Sequence, residues 1–480
     1  MATIYELEPK AVFSNFAKLC EIPHGSGNVK AISDFLADFA RNLGYKVRQD
    51  EALNVFVEME ATEGYENVPG IIIQGHMDMV AVSKPELSID MTKDPLSVKV
   101  DGDNLYAEGT SLGGDDGIAV AYAMAIMDDK SIPHPHLDIL ITTDEETGMD
   151  GARAADISGL KGTRLFNLDS EDEGHFLVGC AGGARVDHFF EAPREARSGA
   201  KLEVKVTGLQ GGHSGAEINK ERGNANVLMG RVLKAVAGYA VGVYTLEGGV
   251  ADNAITRECV CDMVVAPDRV AAVKEAICDI ESKIKVELAT KDPGFQIVVT
   301  DLGEGSEQVV ENKALSHIVD VLIAMPNGVQ AMSADVEGLV QTSLNNGIMK
   351  LEGDKFSFVT SVRSSIASEK KALIDRITTI TRLAGGKNDV RADYPGWAYR
   401  VESPFRDLCM KVYKDMYQQE PIVEAIHAGV ECGFFLEKRP DLDCVSIGPN
   451  MKDIHTTEER LSISSAKRTW EYVLAVLAAK

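Results

Sequence analysis

The stretch Ile71-Ile72-Ile73-Gln74-Gly75-His76-Met77-Asp78 constrains this chain more than any other, because an apolar run stops at an imidazole and a carboxylate two residues apart. A continuous apolar run predicts a strand buried on both faces, as in parallel sheets covered by helices. In open α/β sheets, ligands gather at the carboxyl ends of such strands. Residues 137–143 and 164–168 are runs of the same kind, ending at Asp144-Glu145-Glu146 and Asp169-Ser170-Glu171. Strand ends that deliver one imidazole and several carboxylates to one place are the sequence form of a metal centre.

At 480 residues the chain exceeds the size at which a single core stops growing, so two domains or one large insertion is expected. A hydrophobic content of 45% and a charged content of 26% predict a folded globular protein. A formal net charge of -25 argues against nucleic acid or an anionic membrane as partner. The first residues lack a basic segment followed by an apolar one, and no uninterrupted apolar run is long enough for a membrane span. The eight cysteines are scattered without C-x-x-C spacing, which predicts buried reduced thiols in a cytoplasmic protein.

Residues 1–182 alternate helix and strand patterns. Pro9 opens a helix carrying Val12, Phe16, Leu19 and Cys20 on one face, and residues 31–43 repeat that period. The segment 117–127 is apolar nearly all round and should be a buried helix. The fold class predicted is α/β, a mostly parallel mixed sheet flanked by helices, with a large inserted α+β lid domain. The insertion spans 183–395 and the chain re-enters the catalytic domain at 396–480, after the turn Tyr394-Pro395-Gly396-Trp397. Within the insertion a strand-then-helix pattern at 258–265 and 268–285 recurs at 355–362 and 368–383, each preceded by a glycine-containing turn. Two α+β half-repeats are therefore expected.

The chemistry-bearing residues at these loop ends are His76, Asp78, Asp115, Asp116, Glu145, Glu146, Asp169 and the distant His455. Carboxylates with two imidazoles suit zinc, manganese or cobalt, and the absence of clustered cysteines excludes a structural zinc or iron–sulfur site. Two divalent ions need one bridging carboxylate and further ligands to cap each ion. Either Asp115 or Asp116 could bridge. Singly these motifs have plainer readings: His-x-Asp as a hydrogen-bonded pair, Leu112-Gly113-Gly114-Asp115-Asp116-Gly117 as a helix-capping turn, Asp144-Glu145-Glu146 as a solvated loop. A phosphate-binding loop is excluded by the adjacent carboxylates and the missing Lys-Ser/Thr pair.

Taken in order, His-x-Asp, Gly-Gly-Asp-Asp-Gly, Asp-Glu-Glu-Thr-Gly, Leu-Asp-Ser-Glu and Gly-Pro-Asn-Met-Lys-Asp-Ile-His455-Thr resemble the co-catalytic di-zinc peptidases that include peptidase T and the glutamate carboxypeptidases. Leu7-Glu8-Pro9-Lys10, Ile22-Pro23-His24-Gly25-Ser26-Gly27, Gly211-Gly212-His213-Ser214-Gly215 and His427-Ala428-Gly429-Val430-Glu431-Cys432-Gly433 resemble a dipeptidase branch of that family. The resemblance covers essentially the whole chain. It implies that Asp115 bridges two ions, most simply Zn2+, with His76 and Asp169 completing one and Glu146 and His455 the other. Asp78 would orient His76 from behind, and Glu145 would be the general base acting on a water held between the ions.

The same resemblance implies that His213 polarises the scissile carbonyl, where a bare reading of its glycine-flanked turn is a surface residue. Asn253 and Arg363 become candidates for holding a substrate carboxylate, for which the guanidinium fork is suited. The backbone at Gly429 would approach the substrate's carboxyl end and His427 would line the specificity pocket. The implied activity is hydrolysis of unblocked dipeptides with broad side-chain tolerance, including Xaa-His. A tripeptidase, an N-acyl-amino-acid deacylase or a glutamate carboxypeptidase would share the metal site. With two half-repeats His213 serves its own chain; with one unit the partner in a homodimer would supply it.

Overall fold

The computed structural model describes residues 3–480, which fall into two compact units. The first runs to Gly179 and includes Tyr399–Ala425 and Val430–Lys480; the second comprises Cys180–Ala398 with Ile426–Gly429. The domain edges expected at 182/183 and 395/396 thus lie at 179/180 and 398/399. Residues 426–429, expected with the catalytic domain, cluster with the second unit instead. The Ala181 N–H donates to the carbonyls of Ile426 (3.2 Å) and Ala428 (2.9 Å), and His427 Nε2 lies 2.7 Å from Ser343 Oγ.

The first unit is built on an eight-stranded sheet in the order Lys46–Gln49, Val55–Met59, Leu137–Thr142, Ile71–His76, Arg164–Asn167, Asp443–Ser446, His175–Cys180, Ile422–Ile426. The four strands from Leu137–Thr142 to Asp443–Ser446 are mutually parallel, and the strands paired outside them at Val55–Met59 and His175–Cys180 run antiparallel. Every residue of Ile71–His76 and of Leu137–Thr142 is buried, as apolar runs without alternation require. Ile71 and Ile73 enter the main core with the helices Lys10–Cys20, Lys30–Asn42, Pro404–Tyr417 and Ile463–Ala478. Gln74 meets the other cover, where its Nε2 donates to Glu431 at 2.6 Å beside the helix Cys432–Lys438.

The helix Gly114–Asp128 is buried along almost its whole length, which explains its lack of a polar face. Its Tyr122 hydroxyl donates to the Ala466 carbonyl at 2.7 Å. Seven cysteines are buried as expected, whereas Cys278 is exposed because it sits on the solvent side of the helix Val270–Glu287. Among the described residues no helix is long and apolar enough to cross a membrane.

The second unit has a nine-stranded antiparallel sheet, eight strands of which form two four-stranded halves while the ninth, Gly328–Met332, pairs with Val340–Glu352. One half runs Gln296–Val310, Arg194–Thr207, Cys259–Val265, Gly242–Gly248; the other runs Val340–Glu352, Lys355–Ser364, Gly182–Glu191, Lys387–Tyr394. In chain order the sheet strands and helices of the first half run strand, helix, strand, strand, helix, strand, and the second half follows the same order with Gly328–Met332 added before Val340–Glu352. The halves join where Gly248 pairs with Met349. Glycine is required beside that seam: Gly249 has φ +82°, and a Cβ there would lie 2.0 Å from the Gly347 carbonyl oxygen.

Candidate metal centre

The parallel strands place the metal-type residues of the first unit at one edge. His76 ends its strand, Glu145 and Glu146 follow Leu137–Thr142, and Asp169 follows Arg164–Asn167. Asp115 and Asp116 lie in the opening turn of the helix Gly114–Asp128, where their backbone angles are not helical and the peptide between them is cis. That turn is fixed from across the unit by Glu459. Its carboxylate accepts the amides of Leu112 (2.7 Å), Gly113 (3.1 Å) and Gly114 (2.8 Å).

The two aspartates face different ways. Asp115 turns Oδ1 to His76 Nε2 at 3.1 Å and Oδ2 to His455 Nε2 at 3.2 Å. Asp116 instead accepts the backbone amide of His76 at 3.2 Å, and only glycine at position 75 leaves room, since a Cβ there would fall 2.4 Å from Asp116 Oδ2. Asp169 lies 3.5 Å from His76 Nε2, and Glu146 lies 3.0 Å from His455 Nε2. His455, in a left-handed backbone conformation, arrives on the loop between the short strands Met451–Lys452 and Arg460–Ser462.

Asp78 ties these parts together. The Nδ1 edge of His76 faces the Asp78 carbonyl at 2.9 Å and its carboxylate at 3.5 Å, which leaves Nε2 free to act as a ligand. The same carboxylate accepts from Ser26 Oγ (2.8 Å), the Glu145 amide (3.1 Å) and the Glu146 amide (3.4 Å).

The donor set fits a pair of divalent cations. His76 with Asp116 and Asp169, His76 with Glu145 and Glu146, and Asp115 with Glu146 and His455 each bring their ligand atoms within 4.8 Å of one another. Buried Glu146 Oε1 and Asp116 Oδ1 have no hydrogen-bond partner among the described residues. The electrostatics show the same surplus of negative charge. Burial, with Asp115 and Glu431 nearby, pushes the Asp169 carboxyl up to about 8, against the opposing pull of His76. Burial and then Asp115 raise Glu171 to about 7. Contacts with Asp115 and Glu146 raise His455 to about 10. Bound cations would relieve this crowding, and oxygen with imidazole donors suits zinc, manganese or cobalt. A further acidic group, Glu58 with Glu60 and His136, is unlike it, because Glu58 is already paired with Lys46 and Lys161.

The remaining candidates lie in the second unit. His213 is exposed, and its Nδ1 accepts the amides of Gly215 (3.2 Å) and Ala216 (3.1 Å), so its proton sits on Nε2. Arg363 is buried, with Nη1 donating to the Tyr394 hydroxyl at 3.3 Å. His427 is buried and held by Ser343, the cross-strand partner of Arg363. Asn253 is exposed and uses its carbonyl to accept the Ser214 amide at 2.8 Å; Gly429 is partly buried. Reading the sequence did not single out Glu459 or Glu431. Glu431 is fully buried and accepts from Gln74 and Thr142 beneath the metal-type residues. Its only sequence signal is an acidic residue inside an otherwise apolar, glycine-rich connection.

A cluster of this kind on a parallel sheet edge is the site of a metal-dependent hydrolase, and the sequence profile of Peptidase family M20/M25/M40 matches residues 72–479. The chain belongs to that family of peptidases. It is 34% identical to the cytosol non-specific dipeptidase of Escherichia coli, over 99% of both chains. The crystal structure of aminoacylhistidine dipeptidase from Vibrio alginolyticus superposes with a TM-score of 0.94 at 34% identity, covering 99% of this chain and 98% of that one. Aminopeptidase PepT from Bacillus cereus, at 15% identity and a TM-score of 0.56 over 98% of both chains, shares the fold.

Proposed function

We propose that this protein hydrolyses unblocked dipeptides of broad composition, Xaa-His among them, with two divalent cations, most simply Zn2+, held by His76, Asp115, Glu146, Asp169 and His455. The observation that carries the reading is Asp115, one oxygen of which faces each imidazole at 3.1 and 3.2 Å. When bound, the cations would polarise the scissile carbonyl and bring the pKa of water towards neutrality.

Glu145 is the general base, taking a proton from the attacking water and returning it to the leaving amine. Burial, and then the carboxylates of Asp169, Glu431 and Glu146, raise its proton affinity against the opposing effect of His76, which favours a base able to hold that proton between the two transfers. Asp78 fixes both His76 and the Glu145–Glu146 backbone. His213 donates from Nε2 to the oxyanion as it forms. Arg363 holds the carboxylate of the substrate, with Asn253, His427 and the Gly429 backbone beside it. The second unit, Cys180–Ala398 with Ile426–Gly429, acts as the lid that brings these groups to the substrate.

The two four-stranded halves of the second unit support a His213 that serves its own chain, so a homodimer is not needed to complete the site. The cytosolic relative supports a cytoplasmic location. The test is turnover of Ala-His, Ala-Ala-Ala and N-acetyl amino acids with added zinc or manganese. Hydrolysis of Ala-His is expected, and activity on the acylated compounds alone overturns the reading. Glu145→Ala should lose turnover by a factor on the order of 100 or more while still binding metal.

A further inference from the structure

The second unit contains a set of buried polar atoms that none of the described residues satisfies. Arg185 pairs across the sheet with Ser361, and Gly183 pairs with Arg363. Arg185 and Arg363 therefore project from one face as diagonal neighbours, roughly 7–8 Å apart at the backbone and within reach of a common ligand. Arg363 is 6% exposed and its Nε has no hydrogen-bond partner. Arg185 donates from Nε to Asp252 at 2.7 Å, and its buried Nη1 has none. The hydroxyl of Ser361, the cross-strand partner of Arg185, and that of Ser214, next to His213, are also buried without partners. Buried donors are normally satisfied, so Arg363 Nε, Arg185 Nη1 and the Ser361 hydroxyl on one face indicate a ligand that accepts hydrogen bonds.

Charge narrows the ligand. Arg391, the next residue across this face, is held by both oxygens of Asp187 at 2.6 and 3.2 Å. Arg185 is balanced by Asp252, which is itself fixed where Asn345 Nδ2 donates to its carbonyl at 3.1 Å. Among the described residues Arg363 has no ion-pair partner. Two guanidiniums and one carboxylate leave a single positive charge, matched by one carboxylate. Burial and then Arg363 lower the basicity of His213, and Arg185 adds to this against the opposing effect of Glu217.

We infer that Arg185 is the second arm of the substrate-carboxylate clamp, its Nη1 sharing with Arg363 the carboxylate of a dipeptide, and that Asp252 limits the clamp to one carboxylate. This rests on the dipeptidase reading. Without Asp252 the face would carry two uncompensated cations and would also accept an acidic side chain on the C-terminal residue.

Steady-state kinetics of the metal-loaded protein test it. Arg185→Gln should raise KM for Ala-Ala about tenfold or more with kcat little changed. The inhibition constant of Ala-Ala amide, which lacks the carboxylate, should stay at the wild-type value, a contrast that a merely structural role would not produce. Arg185→Lys should recover part of the loss. Should Arg185→Gln fail to fold, Asp252→Asn supplies the second arm of the test: its kcat/KM for Ala-Asp relative to Ala-Ala should rise severalfold. An unchanged KM in Arg185→Gln, an equal loss for acid and amide, or an unchanged Ala-Asp preference in Asp252→Asn overturns the clamp while leaving a wild-type dipeptidase intact. A wild-type protein that hydrolyses no dipeptide removes both readings.

Discussion

Glu459 braces the candidate site from outside the residues proposed to hold metal. It is 3% exposed, and its two oxygens accept the amides of Leu112, Gly113 and Gly114 at 2.7, 3.1 and 2.8 Å. These amides open the helix Gly114–Asp128, where backbone donors have no partner within the helix and a negative charge is favoured. Asp115 follows immediately, so this carboxylate also sets the aim of the residue between the two imidazoles. Glu459→Ala would leave three buried donors unpaired at about 1–3 kcal/mol each, so a loss of roughly 3–6 kcal/mol is expected where water refills part of the space. Glu459→Gln keeps an oxygen for two amides and turns an NH2 on the third, an expected loss of about 1–3 kcal/mol. Trp470 supplies the assay, since its ring stacks 5.8 Å from Tyr122 of the same helix and the chain's other tryptophan can be removed as Trp397→Phe. Urea unfolding of the metal-free variants, followed by that fluorescence, measures the loss. A metal-competition titration should show affinity about ten- to a hundredfold weaker in Glu459→Gln, as for other groups that orient ligands. An Ala variant within about 1 kcal/mol of wild type, a deficit below that of one lost bond, would refute the reasoning. So would a Gln variant with unaltered metal affinity.

Asp78→Ala should weaken metal binding about ten- to a hundredfold, because it removes the carboxylate that accepts the Glu145 and Glu146 amides and lies 3.5 Å from His76 Nδ1, while the main-chain carbonyl at 2.9 Å from Nδ1 stays; equilibrium dialysis against a chelator checks it. Gly75→Ala puts a methyl 2.4 Å from Asp116 Oδ2 and 2.8 Å from Ala119 Cβ, and should destabilise the fold by about 1–3 kcal/mol in the same unfolding assay. His188 is buried between the hydroxyls of Thr381 (2.6 Å) and Thr360 (3.2 Å), and burial pushes its imidazole down to about 4 from 6.5. The unfolded chain therefore takes up that proton first. The contribution is complete above the unfolded value and is lost as pH falls from about 6.5 towards 4, by roughly 3 kcal/mol. The difference in stability between wild type and His188→Gln should shrink by that amount across this window, and a pH-independent difference would count against it.

What the sequence made legible was whatever a local pattern encodes. The buried runs 71–76 and 137–142 are apolar without alternation, and their ends carry His76, Glu145 and Glu146 in the same few residues. The strand Gln296–Val310 was not legible, because it lies at a sheet edge, is solvated along most of its length, and takes its order from pairing with Arg194–Thr207. Glu459, Glu431 and Arg185 were hidden for a related reason: each acts on residues far away in the chain. Glu459 reaches 345–347 residues back to the turn it braces, Glu431 reaches 289–357 residues back to Thr142 and Gln74, and Arg185 meets Asp252 across 67. The division follows the physics of the site. A ligand's chemistry is fixed by its own side chain and shows in the residue type. A bracing group is chosen for where the fold puts it, as an ordinary Glu or Arg. Binding and turnover should therefore separate by class of residue: loss of Glu145 removes chemistry with metal retained, and loss of Glu459 or Asp78 weakens metal before it touches chemistry.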